Sequence, residues 1–359
     1  MMLTQTFSFI KLFDISGNLK EVNTFGSGHI NDTYLACYDQ KGKERKYIIQ
    51  RINHQVFKSP EKIMRNIGMV SEHVAHKDIL FLNPIKNRDT GDYLVIDEKG
   101  NYWRAFPYID KSVAPEKVEN EEQAFQAASA FGRFLRMIDD IDVSQFEETI
   151  PDFHNAQSRF QKLTTAIEND SFDRAKSCQP EIEFALKYKP LTEKITKLLV
   201  NGSIPVRVTH NDTKISNALL DSETNKAICV IDLDTIMPGT SLYDYGDMIR
   251  TFTSPCFEDE TDLNKVYMRF EIFKALTAGF LSELKDVLIE KEKENLVYGG
   301  KLITYLIGIK LLTDHLEGDN YHKISYQGQN LDRARNQFKL LRSIEEQEDA
   351  MQEFIKGLG

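Results

Sequence analysis

Val208-Thr-His-Asn-Asp-Thr-Lys-Ile-Ser-Asn-Ala-Leu-Leu220, followed after a polar insert by Ala227-Ile-Cys-Val-Ile-Asp-Leu-Asp234, is the stretch that organises the chain. Ala218-Leu-Leu220 and Ala227-Ile-Cys-Val-Ile231 read as two short apolar strands, with Asp221-Ser-Glu-Thr-Asn-Lys226 as the turn between them. Antiparallel pairing sets Asn217, at the entry of the first strand, beside Asp232, at the exit of the second. An amide oxygen and a carboxylate held together make a hard-oxygen site suited to Mg²⁺ carrying nucleotide phosphates. Asp212 lies one loop away, free to accept a proton from an acceptor hydroxyl. Any one of these residues alone reads as a cap or a turn residue. Strand, loop, hairpin and acidic pair in this order read as a site.

His210, Asp212 and Asn217 also reproduce the spacing H-x-D-x-x-x-x-N of a kinase catalytic loop, with Asn211 where protein kinases carry Arg. Together with Ile231-Asp-Leu-Asp-Thr-Ile-Met-Pro-Gly239 and Asp244-Tyr-Gly-Asp247, this loop resembles the aminoglycoside phosphotransferase and choline kinase superfamily, and within it the N-acetylhexosamine 1-kinases. The resemblance spans residues 25–330 and includes Gly28-His-Ile-Asn31, Gln50-Arg-Ile-Asn53, Met64-Arg-Asn66 and Leu316-Glu-Gly-Asp319. It implies an α+β, protein-kinase-like bilobal fold. Residues 1–109 form a nucleotide-binding lobe with an antiparallel sheet and one helix, and residues 110–359 a mainly helical lobe for catalysis and acceptor binding.

The chain ahead of the loop reads as strands. Glu21-Val-Asn-Thr-Phe25 and Asn31-Asp-Thr-Tyr-Leu-Ala-Cys-Tyr38 flank Gly26, Ser27 and Gly28, a turn whose missing Cβ atoms let backbone N–H groups lie over phosphates. Asn31 stands where the kinase pattern G-x-G-x-x-G has its last glycine. Lys46-Tyr-Ile-Ile-Gln-Arg-Ile52 reads as the third strand. Kinases hold nucleotide phosphates from that strand with a basic side chain, here Arg51, with Lys46 second. Ser59 as cap and Pro60 in the first turn open a helix over 61–77, on which Glu61 and Glu72 are alternatives for pairing with that basic residue, an exposed helix-face carboxylate being the expected place of each. Tyr93-Leu-Val-Ile96 and Tyr102-Trp-Arg-Ala-Phe106 form a hairpin that runs into Pro107, Tyr108 and Ile109, a hinge whose backbone would face adenine.

Beyond it, periodic apolar residues predict helices over 123–139, 153–168, 180–200, 302–316 and 329–354, and one or two helices over 262–287. A further helix over 241–250, capped by Ser241, carries Asp244 and Asp247. Asp244 is expected to accept backbone N–H bonds from the catalytic loop and, with His210, to support it; Asp247 reads equally as an acidic first-turn residue. Glu290-Lys-Glu-Lys-Glu294 reads as a solvated charge run, and His154 as a loop histidine.

A formal net charge of −10 disfavours nucleic acid or an anionic membrane as the main partner, since both need concentrated basic surface. Cys37, Cys178, Cys229 and Cys256 form no CxxC pair and read as free thiols in a reducing compartment. The N-terminus lacks the basic-then-apolar order of a signal peptide, and no apolar run approaches the ~20 residues that span a bilayer. A cytoplasmic enzyme is the expectation.

Phosphoryl transfer needs charge neutralisation and in-line positioning rather than covalent work from the protein. The cofactors implied are ATP and Mg²⁺. Asp212 orients or deprotonates the acceptor, Lys214 neutralises the γ-phosphate, Asn217 and Asp232 hold Mg²⁺, and Asp234 is a candidate for a second ion. The resemblance implies transfer to the anomeric hydroxyl of N-acetylglucosamine or N-acetylgalactosamine, held by Asp212, His29, Lys310 and Tyr321. Lys310 stands where that family has Arg, and loses planar two-pronged hydrogen bonding. Two alternatives are a kinase for another sugar, amino sugar, choline, homoserine or aminoglycoside, and a catalytically silent nucleotide-binding protein.

Overall fold

Apolar residues at alternate positions in the first hundred residues build one sheet. The computed structural model describes residues 8–26, 30–77 and 81–358. In it β1 (Asn18–Thr24), β2 (Asp32–Gln40), β3 (Lys43–Ile52), β4 (Val95–Ile96) and β5 (Tyr102–Pro107) form a five-stranded antiparallel sheet in the order β1-β2-β3-β5-β4. One face buries Val22, Ala36, Ile49, Trp103 and Ala105 against Phe9, Ile10, Phe13 and Ile15 of the N-terminal segment. The register Gln50↔Arg104 and Ile48↔Phe106 places these four side chains on the opposite face, with Ile52, which packs into the main core.

Helix α1 (Pro60–Val74) covers that second face and buries Ile63, Met64, Ile67, Val70 and Val74. Its start differs from expectation: the Ser59 side chain makes no capping bond, and Pro60, preset to helical φ, opens the helix. The Asn66 amide donates to the carbonyls of Ile236 and Glu147, both at 2.8 Å, and so joins the helix to the C-terminal part.

The C-terminal part is helical: α2 (Glu121–Met137), α3 (Ala156–Asn169), α4 (Gln179–Lys187), α5 (Lys194–Val200), α6 (Ser241–Thr253), α7 (Phe270–Leu284), α8 (Glu290–Lys293), α9 (Leu296–Leu316), α10 (Gln329–Glu346) and α11 (Glu348–Leu358). Between α5 and α6 lie β7 (Arg207–Thr209), β8 (Ala218–Asp221), β9 (Ala227–Val230) and β10 (Met237–Gly239). β8 pairs with β9 and with β6 (Ser112–Val113), and β7 pairs with β10.

Several predicted helices are shorter or shifted. The one over 180–200 breaks into α4, a 3-10 turn at Lys189–Thr192 and α5, because Pro190 brings no N–H. The one over 329–354 breaks between α10 and α11 at Gln347, whose amide donates to the Met268 carbonyl at 2.9 Å. The cap of α6 is Thr240, whose hydroxyl accepts the Leu242 N–H at 3.4 Å, and Ser241 instead donates to Glu292 at 2.7 Å. Glu292 corrects the reading of a solvated charge run: it is 0% exposed and paired with Arg207 at 2.8 Å.

Helix α9 begins six residues earlier than the apolar pattern indicates. At 21 residues it is long and apolar enough to cross a membrane, contrary to the reading above, yet most of its apolar length is buried within the protein. It meets α6 backbone to backbone: a Cβ on Gly299 would lie 2.3 Å from the Leu242 carbonyl oxygen, and one on Gly246 2.4 Å from that of Gly299. This close crossing fixes α9 against the helix that carries Asp244 and Asp247.

Candidate active site

The loop after β7 is fastened from beneath. Asp244, fully buried on α6, accepts the backbone N–H groups of His210 at 3.0 Å and Asn211 at 2.6 Å. Burial pushes its carboxyl up to about 7, against the pull of those two donors. Asn211 takes a left-handed backbone with φ 65°, and its amide donates to the carbonyls of Thr235 at 3.0 Å and Thr209 at 3.2 Å. Thr235 Oγ1 donates to the His210 carbonyl at 2.7 Å, and Thr213 Oγ1 to that of Asp244 at 2.6 Å. Burial holds His210 below its ordinary pKa, so the neutral ring donates from Nε2 to the Ile231 carbonyl at 2.9 Å, while Nδ1 accepts the Asp212 N–H at 3.3 Å. Phe131 and Phe134 meet that ring edge-on, with centroids at 5.3 and 5.9 Å.

On this base the structure brings Asp212, Lys214, Asn217 and Asp232 together. Ala218 pairs with Val230, and the Ile231 N–H donates to the Asn217 carbonyl at 2.8 Å, so Asn217 and Asp232 flank one hairpin mouth. The Asn217 amide NH₂ donates to the Asp212 carbonyl at 2.8 Å and to its Oδ2 at 3.0 Å. That leaves the amide oxygen as the acceptor for a cation. Lys214 Nζ lies 3.0 Å from Asp212 Oδ2 and 3.9 Å from Asp232 Oδ2, bridging the two carboxylates. Burial raises Asp212, but the Lys214 ammonium outweighs it and holds the carboxyl below its usual range. Burial and the nearby Asp234 push Asp232 up to about 6. A left-handed carboxylate at φ 61°, crowded by other carboxylates and facing an amide oxygen, suits a divalent cation. Among the described residues no three His, Cys, Asp or Glu side chains gather as a metal cage. Mg²⁺ needs none, because it takes one or two carboxylates and fills its octahedron with phosphate oxygens and water.

Asp234 is placed differently from the expectation of a second ion site. It is 2% exposed; Arg104 bonds its Oδ1, and the Asn31 amide donates to Oδ2 at 2.8 Å. Both oxygens are engaged by the N-terminal sheet. Arg104, also 2% exposed, donates from Nε to Gln50 at 3.0 Å and lies over Phe106. Arg51 is corrected too. Being one residue from Gln50, it points to the other face of the sheet, where it pairs with Asp32 at the surface. Lys46 pairs with Glu44 at 3.5 Å and Asp110 at 3.7 Å. Glu72 pairs weakly with Lys86, at 3.9 Å, and neither it nor Glu61 is bonded to Arg51 or Arg104. The buried cation of the sheet therefore comes from β5. Its sequence signal is an arginine inside the apolar strand Trp103-Arg-Ala-Phe106, facing inward on the alternation.

At the chain's passage between the two parts, the Tyr108 N–H donates to the Lys46 carbonyl at 3.0 Å. Alternation then turns the Pro107 carbonyl and the Ile109 N–H away from β3. The Tyr108 ring meets Phe25 edge-on at 5.7 Å, next to Gly26, which has φ 77°. Ser27, Gly28 and His29 lie outside the described residues.

On the other side of Asp212, α3, α6 and α9 contribute charged side chains that sequence spacing does not join. Lys310 on α9 lies over the Tyr321 ring, its Nζ 4.6 Å from the centroid. Burial, then Arg159 on α3, lowers Lys310 to about 8, while Glu258, Asp212 and Asp314 act the other way. His154 bonds the Asn211 carbonyl at 3.2 Å and packs between Phe153 and Tyr243. Burial, with Arg159 and Lys310 nearby, holds it down to about 3, so the ring is neutral. Arg250 donates to Asp247 at 2.8 Å and to Glu258 at 3.1 Å.

A conserved-domain comparison is decisive at this point: the model of the phosphotransferase enzyme family (APH) matches residues 21–265, more than half of the chain. The chain belongs to this phosphotransferase family. Members transfer phosphoryl groups, here to a hydroxyl of a small molecule. Three solved structures share the fold. An aminoglycoside phosphotransferase from Alicyclobacillus acidocaldarius is 15% identical, with TM-score 0.60 over 98% of this chain and 94% of that one. A spectinomycin phosphotransferase, solved with ADP and spectinomycin, is 15% identical, with TM-score 0.55 over 95% and 98%. A choline/ethanolamine kinase family protein from Mesorhizobium loti is 11% identical, with TM-score 0.56 over 99% of each chain. At these identities the likeness is one of architecture, and the phosphotransferase's acceptor has to be argued from its own cleft.

Proposed function

We propose that this phosphotransferase uses Mg·ATP to phosphorylate a hydroxyl of a polyhydroxylated acceptor, foremost the anomeric hydroxyl of an N-acetylhexosamine. The observation that carries the reading is the Asp212 carboxylate, kept ionised by Lys214 and braced by Asn217, between the Asn217–Asp232 pair and the Lys310–Tyr321 wall. Asp212 accepts the hydroxyl proton as the oxygen attacks and holds that hydroxyl in line. Lys214, already shared between Asp212 and Asp232, supplies the mobile positive charge for the transferring phosphoryl group. Mg²⁺ held by Asn217 and Asp232 would neutralise charge on the nucleotide phosphates. The Pro107 carbonyl and the Ile109 N–H offer an acceptor and a donor matched to the adenine amino group and ring nitrogen.

The charge of the acceptor wall supports a sugar over an ammonium compound. Choline, ethanolamine and aminoglycosides would bring positive charge against Lys310 and Arg159. Neither of these cations has an ion pair within 4 Å among the described residues. A cationic acceptor would meet repulsion there, and a hydroxyl-rich one would meet donors. The match of Asp212, Tyr321 and His29 to acceptor-binding positions of N-acetylhexosamine 1-kinases supports the specific sugar, while Lys310, in place of their Arg, departs from it.

Phosphorus NMR of the products from ATP, Mg²⁺ and a panel of N-acetylhexosamines, choline and aminoglycosides tests the proposal. The expected result is an anomeric sugar phosphate formed one-for-one with ADP. Product from choline or an aminoglycoside alone would refute it.

A further inference from the structure

Arg159 and Lys310 stand out among the charged side chains around Asp212. The other charged side chains there have partners: Lys214 has Asp212 and Asp232, Arg250 has Asp247 and Glu258, and Arg104 has Asp234. Among the described residues, Arg159 donates to the Phe153 carbonyl at 3.2 Å and Lys310 lies on the Tyr321 ring, and neither has an ion pair. Both side chains are half-buried, and each lies within Coulombic reach of groups on the same wall. Burial lowers both groups, and Arg159 lowers Lys310 further, because like charges brought together out of water repel. Folded proteins keep such cations when something compensates them. The neighbours offset them only in part: His154 is neutral, Glu258 is committed to Arg250, Asp152 accepts from the Asn155 amide at 2.7 Å and the Ser158 hydroxyl at 3.3 Å, and Asp314 accepts the N–H groups of Tyr321 and His322, both at 2.8 Å. Asp212 is committed to Lys214.

We propose that Arg159 and Lys310 form an oxyanion subsite of the acceptor pocket, so that the preferred acceptor is a sugar bearing a carboxylate or phosphate away from the hydroxyl that is phosphorylated. This rests on the phosphotransferase reading of the cleft and narrows its acceptor class. The planar guanidinium of Arg159 supplies a two-pronged donor, and the Lys310 ammonium a point charge beside it. Tyr321, 62% exposed, lies against Lys310 at the rim of this subsite.

The test is calorimetric titration of the full-length protein, loaded with Mg²⁺ and a non-hydrolysable ATP analogue, using matched pairs of acceptors. The pairs are N-acetylglucosamine with its 6-phosphate, N-acetylglucosamine with N-acetylmuramic acid, and glucose with glucuronic acid. At least one acidic member should bind about tenfold or more tightly than its neutral mate, the scale of one good charge-assisted contact. The phosphate and carboxylate pairs identify which oxyanion the subsite takes. Lys310→Met and Arg159→Met should each abolish the preference while leaving affinity for the ATP analogue unchanged, and Lys310→Arg should keep it. Inorganic sulfate should compete with the acidic acceptor in the wild type, a result that does not depend on any variant folding. Tighter binding of the neutral member in all three pairs, or a preference that survives both Met variants, would overturn the subsite. Because binding is read without turnover, failure here is separate from failure of the kinase reading, which would appear as absence of phosphorylated product from every acceptor.

Discussion

The two walls that meet at Asp212 are built in different ways. The catalytic side is local: Asp212, Asn217, Asp232 and Asp244 fall within 33 consecutive residues and are joined by backbone bonds, a hairpin and one helix turn. The acceptor side is dispersed: Arg159, Arg250, Glu258, Lys310 and Tyr321 come from α3, α6, the segment after α6, α9 and the segment after α9. The charges of the first wall are paired. Among the described residues the second keeps two cations without an ion pair, and the glycine crossing of α6 and α9 sets the place of α9 within it. A fixed reaction centre with a separately variable acceptor wall lets one fold serve many acceptors.

The sharpest break of this contrast is at the catalytic wall. Asp212→Ala should lower turnover by about 10²-fold or more, the size of a general-base contribution, with nucleotide affinity nearly kept. Steady-state kinetics beside nucleotide titration checks it, and near-normal turnover would remove Asp212 from its role.

The sheet offers the next comparison, between its two arginines. Arg104→Gln strips the buried partner from Asp234 and should cost about 3–5 kcal/mol of stability in thermal or urea unfolding. Arg51→Gln breaks a surface pair and should change stability by less than about 0.5 kcal/mol. Equal effects would mean that Arg104 is not the cation on which the sheet depends.

The acceptor wall should respond to pH near 8, above the values of about 6 and about 7 to which burial raises Asp232 and Asp244 on the catalytic wall. Lys310 is lowered to about 8, first by burial and then by Arg159. Its ammonium is therefore charged below pH 8 and neutral above. Binding of an acidic acceptor should be full below that pH and fall as pH rises through about 8. Arg159 stays cationic across this range, His154 stays neutral, and Asp212 and Asp314, both held below the usual carboxylate range, stay ionised. Lys310→Arg should remove the inflection. A Lys310→Arg variant with an unchanged pH profile would assign the titration to another group.

The same contrast explains what the amino-acid sequence shows. The strands of the sheet, the catalytic hairpin and the place of Asp244 are legible because alternation, turn residues and short spacing are local signals. Arg51 misleads because a one-residue step along a strand reverses the side chain's face; the inward residue of β3 is Gln50, and the charge is carried by Arg104 on the paired strand. Asp234 misleads because its partners, Asn31 and Arg104, lie 203 and 130 residues away. Glu292 looks solvated in a run of charges, and only the fold brings Arg207 to it. The wall of Arg159 and Lys310 leaves no local trace, since helix packing alone joins residues so distant.

One measurement bears most directly on the division of labour around Asp212. Electron paramagnetic resonance of Mn²⁺ with ADP, titrated onto the wild type, Asp212→Ala and Asp232→Asn, separates the proton acceptor from the metal ligand. The account predicts that Asp212→Ala keeps the bound Mn²⁺ signal and Asp232→Asn loses it. Loss with Asp212→Ala and retention with Asp232→Asn would contradict it.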